Sequence, residues 1–212
     1  MARYQSYGFP PIPVATRNVM IACAVVFVLQ HVPVLGGWIN TLFMLFPPTW
    51  PQFWPWQLIT YAFLHYDIGH IIFNMLGLFM FGVTLEQLWG PRRYLQLLAA
   101  SAVMAGVTHV LISLLLHGAA APLLGISGAV FGLLMAQAMI MPHQPVLFFM
   151  VLPMENRTAV AIFGAIELAL GFSQDGVAHF AHLGGMLGAW LLITWWRRGG
   201  GGGRRPPLRR VH

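Results

Sequence analysis

Leu124-Gly125-Ile126-Ser127-Gly128-Ala129-Val130-Phe131-Gly132 sets one hydroxyl among small and apolar residues at the start of a long hydrophobic run. Glycines stand two residues before Ser127, one after it and five after it. Taken alone, the hydroxyl says little, because serines in membrane helices often bond back to a carbonyl one turn earlier. The rest of the chain decides whether Ser127 has a base and oxyanion donors within reach.

The 212 residues are 58% hydrophobic and only 8% charged, with a mean hydropathy of +0.72. A soluble domain carries about 25% charged residues. So few charges cannot cover a water-facing surface, and the chain reads as an all-α, multi-pass integral membrane protein. The single cysteine, Cys23, lies in an apolar run and excludes an intrachain disulfide. The N-terminus is polar and Pro-rich, and no small-residue cleavage site follows the first apolar run, so no cleavable signal is expected.

Apolar runs between Pro, Gly and charged interruptions predict six spans, at about 18–35, 68–88, 94–116, 125–141, 158–172 and 177–196. They divide the chain into an N-terminal segment (1–17), a six-helix membrane domain (18–196) and a flexible Gly/Arg tail (197–212). The connection 36–67 holds Trp50, Trp54 and Trp56 among prolines and reads as a loop with short helical pieces at the headgroup level. Residues 148–152 are too few to cross and are expected along the surface. Every arginine (residues 3, 17, 92, 93, 157, 197, 198, 204, 205, 209 and 210) falls on one side of this topology, and there is no lysine. Basic residues favour the cytoplasmic side, so both termini are expected there. The basic tail then reads as membrane-surface attraction or a topology signal rather than nucleic-acid binding.

The second, fourth and sixth spans all start at the outer face, and each carries polar residues a few positions inside. These are His65, His70 and Asn74 by the second, Ser127 on the fourth, and His179 and His182 on the sixth. At 1.5 Å per residue they reach similar shallow depths. His70 and Asn74 share a helix face. As polar groups in a span they mark function or serve as glue between helices. Gly128 to Gly132 and Gly184 to Gly188 repeat a small-xxx-small pattern, so the helices bearing Ser127 and His182 suit close packing.

A serine beside a neutral histidine across such a contact is a nucleophile beside a general base. His70, the Asn74 amide and the Ser127 N–H supply oxyanion donors. Asp67 and Asp175 lie in or beside outer loops, so no carboxylate is expected to orient His182, and the site reads as a Ser-His dyad. Phe131, one turn below Ser127, either stacks on His182 or fills the core. His65 and His179 either line the cavity mouth or are merely interfacial.

His65-x4-His70-x3-Asn74, then Gly125-Ile126-Ser127-Gly128, then Ala181-His182-Leu183-Gly184-Gly185 resembles the rhomboid family of intramembrane serine proteases over about residues 18–196. The resemblance implies a six-helix bundle, Ser127 as nucleophile, His182 as base, and His70 and Asn74 as oxyanion donors. It also implies that Glu86 and Gly90 belong to a structural motif at the cytoplasmic end of the second span. The implied substrates are single-span membrane proteins cut near the outer membrane boundary. Rhomboids often have Trp-Arg in the first outer loop, where this chain has Trp56-Gln57, which puts that loop's anchoring in question. Many have Tyr where Phe131 stands.

A helix hides its carbonyls, so a substrate must be locally unwound. The fifth span and the turn 173–176 are expected to form the gate. A non-catalytic relative would need a missing Ser or His, and both are present. A metal or proton site using His70, His179 and His182 is the further alternative, though H-E-x-x-H is absent. No cofactor and no metal are expected. The expected partners are transmembrane substrates and the lipid bilayer, and the expected location is a bacterial inner membrane.

Overall fold

The computed structural model describes residues 11–116, 120–148, 152–172 and 176–199. Most of residues 1–17, most of the tail, the connection at 117–119 and the turn at 173–175 therefore lie outside the described residues.

Helix α1 spans Val14–Gln30, so the first apolar run stays helical only to Gln30 and not to Leu35. Its Pro13 cap has no side-chain oxygen to offer. The first-turn donors are met instead by Glu86, which accepts from the N–H of Ala15 at 2.9 Å, the N–H of Thr16 at 2.7 Å and the Thr16 hydroxyl at 2.7 Å. Two short helices, α2 (Leu35–Phe43) and α3 (Gln57–Thr60), lie in the Trp-rich connection as expected.

Asp67 caps α4 (Ile68–Gly77) by accepting from the N–H of His70 at 2.7 Å. A π-helical stretch, Leu78–Gly82, leads into α5 (Val83–Leu115). Together, Ile68–Leu115 form a 48-residue helical run apolar enough to cross a membrane, with α1 and α6 as shorter apolar helices.

The run is not straight. Gly90 takes φ 76°, ψ 167° ahead of Pro91, a conformation that glycine tolerates and other residues avoid. Across it the chain folds back: a Cβ on Gly82 would lie 2.6 Å from the Tyr94 hydroxyl. Twelve residues of unbroken helix would separate the two by about 18 Å. The expected stop at residues 90–93 is therefore real.

Ser127–Ile140 form α6, Asn156–Leu170 form α7 and Gly176–Arg197 form α8. Between α6 and α7, β1 (Pro145–Phe148) pairs antiparallel with β2 (Leu152–Glu155), Val146 opposite Met154. Of the surface segment expected at 148–152, Phe148 ends β1 and Leu152 opens β2, and residues 149–151 lie outside the described residues.

Small residues set the packing. Gly128 faces Ala105 and Gly132 faces Ser101, so α6 runs antiparallel to the second half of α5. Gly184 faces Thr108 and Gly188 faces the Ala100 carbonyl, so α8 does the same. The outward faces of α1, α5, α7 and α8 carry Val25, Val28, Leu111, Leu115, Ile162, Leu187 and Trp190, all exposed. Such surfaces suit lipid rather than water.

The outer loop is anchored by the residue that departs from the commoner pattern. Gln57 is fully buried. Its Oε1 accepts from the N–H groups of Phe46 at 3.3 Å and Trp54 at 3.2 Å. Its Nε2 donates to the Gln52 carbonyl at 2.8 Å and lies 3.3 Å from the Leu42 carbonyl. A neutral amide thus holds the loop through both donor and acceptor. Gln57→Leu should leave the Phe46 and Trp54 donors unmet and lower stability by about 2–4 kcal/mol, read as a reduced unfolding temperature in detergent micelles.

Candidate active site

The N-terminus of α6, the first turns of α4 and the second turn of α8 converge on a cavity of about 320 Å³. Among its described lining residues only His70, Asn74, Ser127 and His182 are polar. Phe163 of α7 and Val146 of β1 close its sides. His70 and Asn74, Ser127, and His182, drawn from the three polar sets expected at matching depths, thus meet in one pocket.

His182 Nε2 lies 2.8 Å from Ser127 Oγ. The approach depends on Gly185, one turn after His182, where a Cβ would overlap the Gly128 carbonyl. Gly132 adds to the contact, its own Cβ position lying 3.1 Å from the Gly185 carbonyl. The small-residue expectation needs one correction: Gly184 and Gly188 face α5, not α6. Gly185, midway around the helix, is the one that meets α6.

Phe131 lies flat on the His182 ring, centroids 4.5 Å apart and planes 7° from parallel, and meets Phe163 edge-on at 5.9 Å. Both of its readings are seen, since the ring also packs against the buried cluster of Leu134, Ala159 and Met186, and Phe in place of Tyr keeps the aromatic face.

His70 faces the cavity with a defined tautomer. Its Nδ1 accepts from the N–H of Tyr66 at 3.3 Å, so the ring proton sits on Nε2. That nitrogen would be 2.6 Å from a Cβ on Gly125, whose φ is +109°. Gly125 is therefore required twice, for its backbone conformation and for the room it leaves His70. Asn74 is buried, and its Nδ2 donates to the His70 carbonyl at 3.1 Å. The amide has a second N–H for a cavity acceptor. Ser127 opens α6, so its N–H is a first-turn donor with no acceptor inside the helix, at the positive end of the dipole. Donors of α4 and α6 thus line the same cavity as the Ser127 hydroxyl.

Two readings change. Of the two left open for His65, lining the cavity is not the one seen: it is buried, its ring edge-on to His70 at 5.2 Å. Burial lowers its pKa to about 4, with His70 adding to the shift and the Phe63 backbone opposing it. The second correction is larger. His182 does have a carboxylate: Glu167 Oε2, from α7, lies 2.8 Å from His182 Nδ1 and 2.7 Å from His179 Nδ1. His179 therefore turns toward Glu167 rather than the cavity mouth. The signal was present in sequence, since Glu167 is a lone acid within the apolar run 158–172, and ionisable residues in spans mark function by default.

Glu167, His179 and His182 each offer a ligand atom within 4.8 Å of one another. Two imidazoles and a carboxylate can hold a divalent transition metal, but both short contacts already satisfy hydrogen-bond geometry. His70 is not in this group, so the metal site imagined from three histidines is not assembled. Glu86 and Gly90, remote from the cavity, tie α1 to α5 and turn α5 back on itself.

The sequence profile of the rhomboid domain matches residues 52–198. The chain belongs to the rhomboid family. Rhomboid protease GlpG of Serratia proteamaculans is 28% identical over 188 residues, covering 85% of this chain and 62% of that protein. Rhomboid protease GluP of Bacillus subtilis is 30% identical over 133 residues, 63% of this chain and 24% of that protein. RHOMBOID-like protein 12, mitochondrial, of Arabidopsis thaliana is 28% identical over 142 residues, 60% of this chain and 42% of that protein. The matched part thus spans less than two thirds of each relative. Membership makes this an integral membrane protein.

The buried His65 gives a pH test. Its folded pKa, about 4, lies below the ordinary 6.5, so between these values the unfolded chain binds more protons. Its neutral ring therefore gives full stability above pH 6.5, lost as pH falls from 6.5 to 4. The loss is on the order of 3 kcal/mol. Thermal unfolding in detergent across this window should show it, and His65→Leu should flatten that part of the profile.

Proposed function

We propose that this rhomboid is an intramembrane serine endopeptidase that hydrolyses peptide bonds of single-span membrane proteins near the outer membrane boundary. The 2.8 Å contact between Ser127 Oγ and His182 Nε2 carries the reading. A hydroxyl facing an imidazole nitrogen, in a cavity whose other polar groups are donors, suits acyl transfer.

Ser127 Oγ attacks the scissile carbonyl carbon while its proton passes to His182 Nε2. The oxyanion is received by His70 Nε2–H, the Asn74 amide and the Ser127 N–H. The C–N bond then breaks, and the imidazolium returns the proton to the leaving amine. Water attacks the acyl-enzyme with His182 again taking the proton, and Ser127 is regenerated. The apolar walls leave few competitors for those donors.

Six spans with both termini cytoplasmic are part of the proposal. Supporting it, two of the described arginines lie at one end: Arg197 donates to the Met139 carbonyl at 2.7 Å, and Arg93 lies 5.6 Å from the Trp196 ring. Ser127 lies twelve helical residues from Met139, about 18 Å away, which suits a site near the opposite face. The GlpG and GluP relatives are bacterial, which favours a bacterial inner membrane. Helix α7, contacting α8 on one side, is the proposed gate. A substrate span with helix-breaking residues near its outer end would unwind into the cavity.

A fluorophosphonate probe should label Ser127, and Ser127→Ala or His182→Ala should reduce cleavage of a test span roughly 10⁴-fold or more. Unchanged cleavage by folded Ser127→Ala would exclude this nucleophile. A chelator should leave activity intact, and chelator inactivation would point instead to the Glu167, His179 and His182 group as a metal site.

A further inference from the structure

Resting on the protease reading, we propose that Glu167 is a positioning residue, the third member of a Ser127–His182–Glu167 relay, itself held in place by His179. A carboxylate in a membrane bundle is costly unless it is paired. Glu167 is 9% exposed and is paired twice through one oxygen, to Nδ1 of His182 and Nδ1 of His179.

The direction of those bonds decides the role. A carboxylate only accepts, so both Nδ1 atoms carry protons. The neutral His182 ring then keeps its lone pair on Nε2, the nitrogen 2.8 Å from Ser127 Oγ. The opposite tautomer would turn an N–H at the hydroxyl and could not take its proton. When His182 accepts that proton, the cation forms next to a fixed negative charge, which is how a third residue assists a serine–histidine pair.

The ring is therefore held on three sides: Phe131 against its face, Ser127 at one nitrogen and Glu167 at the other. Glu167 comes from α7, whereas Ser127 and His182 come from α6 and α8. The seating of α7 against α8 thus completes the relay, so the state of the proposed gate reaches the chemistry directly. A purely structural clamp between the two helices would hold equally well with any hydrogen-bonding side chain and would not fix a tautomer.

Glu167→Gln, which keeps size and bonding capacity but removes the charge, separates the two. In detergent micelles the variant should fold like the parent. Its kcat should fall roughly 10²- to 10⁴-fold, with KM within about threefold. Nitrogen NMR of ¹⁵N-histidine-labelled protein should find the His182 proton on Nδ1 in the parent and a mixture of tautomers in Glu167→Gln. His179→Ala should lower kcat by less than Glu167→Gln does, since the carboxylate keeps its bond to His182. Folded Glu167→Gln with unchanged kcat, or a His182 proton on Nε2 in the parent, would overturn the relay. Loss of the serine mechanism itself would show separately, as absent fluorophosphonate labelling of the parent, and the tautomer measurement needs no turnover.

Discussion

The contact of Gly185 with the Gly128 carbonyl is the constraint on which the site depends. A methyl group at Gly185 would overlap that oxygen, so the α6 and α8 backbones could not come so close. Gly128 follows Ser127, and Gly185 lies one turn beyond His182 on the same helix face. The spacing of the two backbones therefore becomes the spacing of hydroxyl and imidazole. Without a hydrophobic driving force between helices in lipid, close backbone packing is a main source of such precision.

Around that contact each polar group has its orientation set by a neighbour of another kind. Tyr66 supplies an N–H that fixes the His70 tautomer, Phe131 supplies a flat face for His182, and Gly125 removes the side chain that would collide with His70. In a low-dielectric interior such bonds are stronger than in water, and unpaired groups are more costly. The result is a pocket with apolar walls whose few polar atoms converge on one hydroxyl.

Farther out, the same economy of partners holds the bundle. Glu86 takes the first-turn donors of α1, and Gln57 takes donors and acceptors of the outer loop. Gln57 shows how a commoner charged residue can be replaced. Anchoring a loop needs hydrogen bonds of both senses at one buried point, and an amide offers these without burying a charge.

Composition alone determined the membrane class, because so few charges cannot solvate a surface. The sequence also made His70 and Asn74 legible as a pair, since four residues in a helix mean one face, and Gly90-Pro91 legible as a break, since local backbone chemistry decides it. Ser127 and His182 were legible through their small neighbours. Other features had no local signature. The pairing of 145–148 with 152–155 is visible only once both strands are placed. Gln57 looked like a lost anchor until its burial and its hydrogen bonds were seen. Glu167 stands fifteen residues from His182 on a different helix, and His65 and His179 sit in equally polar motifs yet turn away from the cavity. Helical periodicity fixes which residues share a face, but it does not fix how one helix is rotated against the next. That rotation is what brought Glu167 to His182, and only the tertiary structure could decide it.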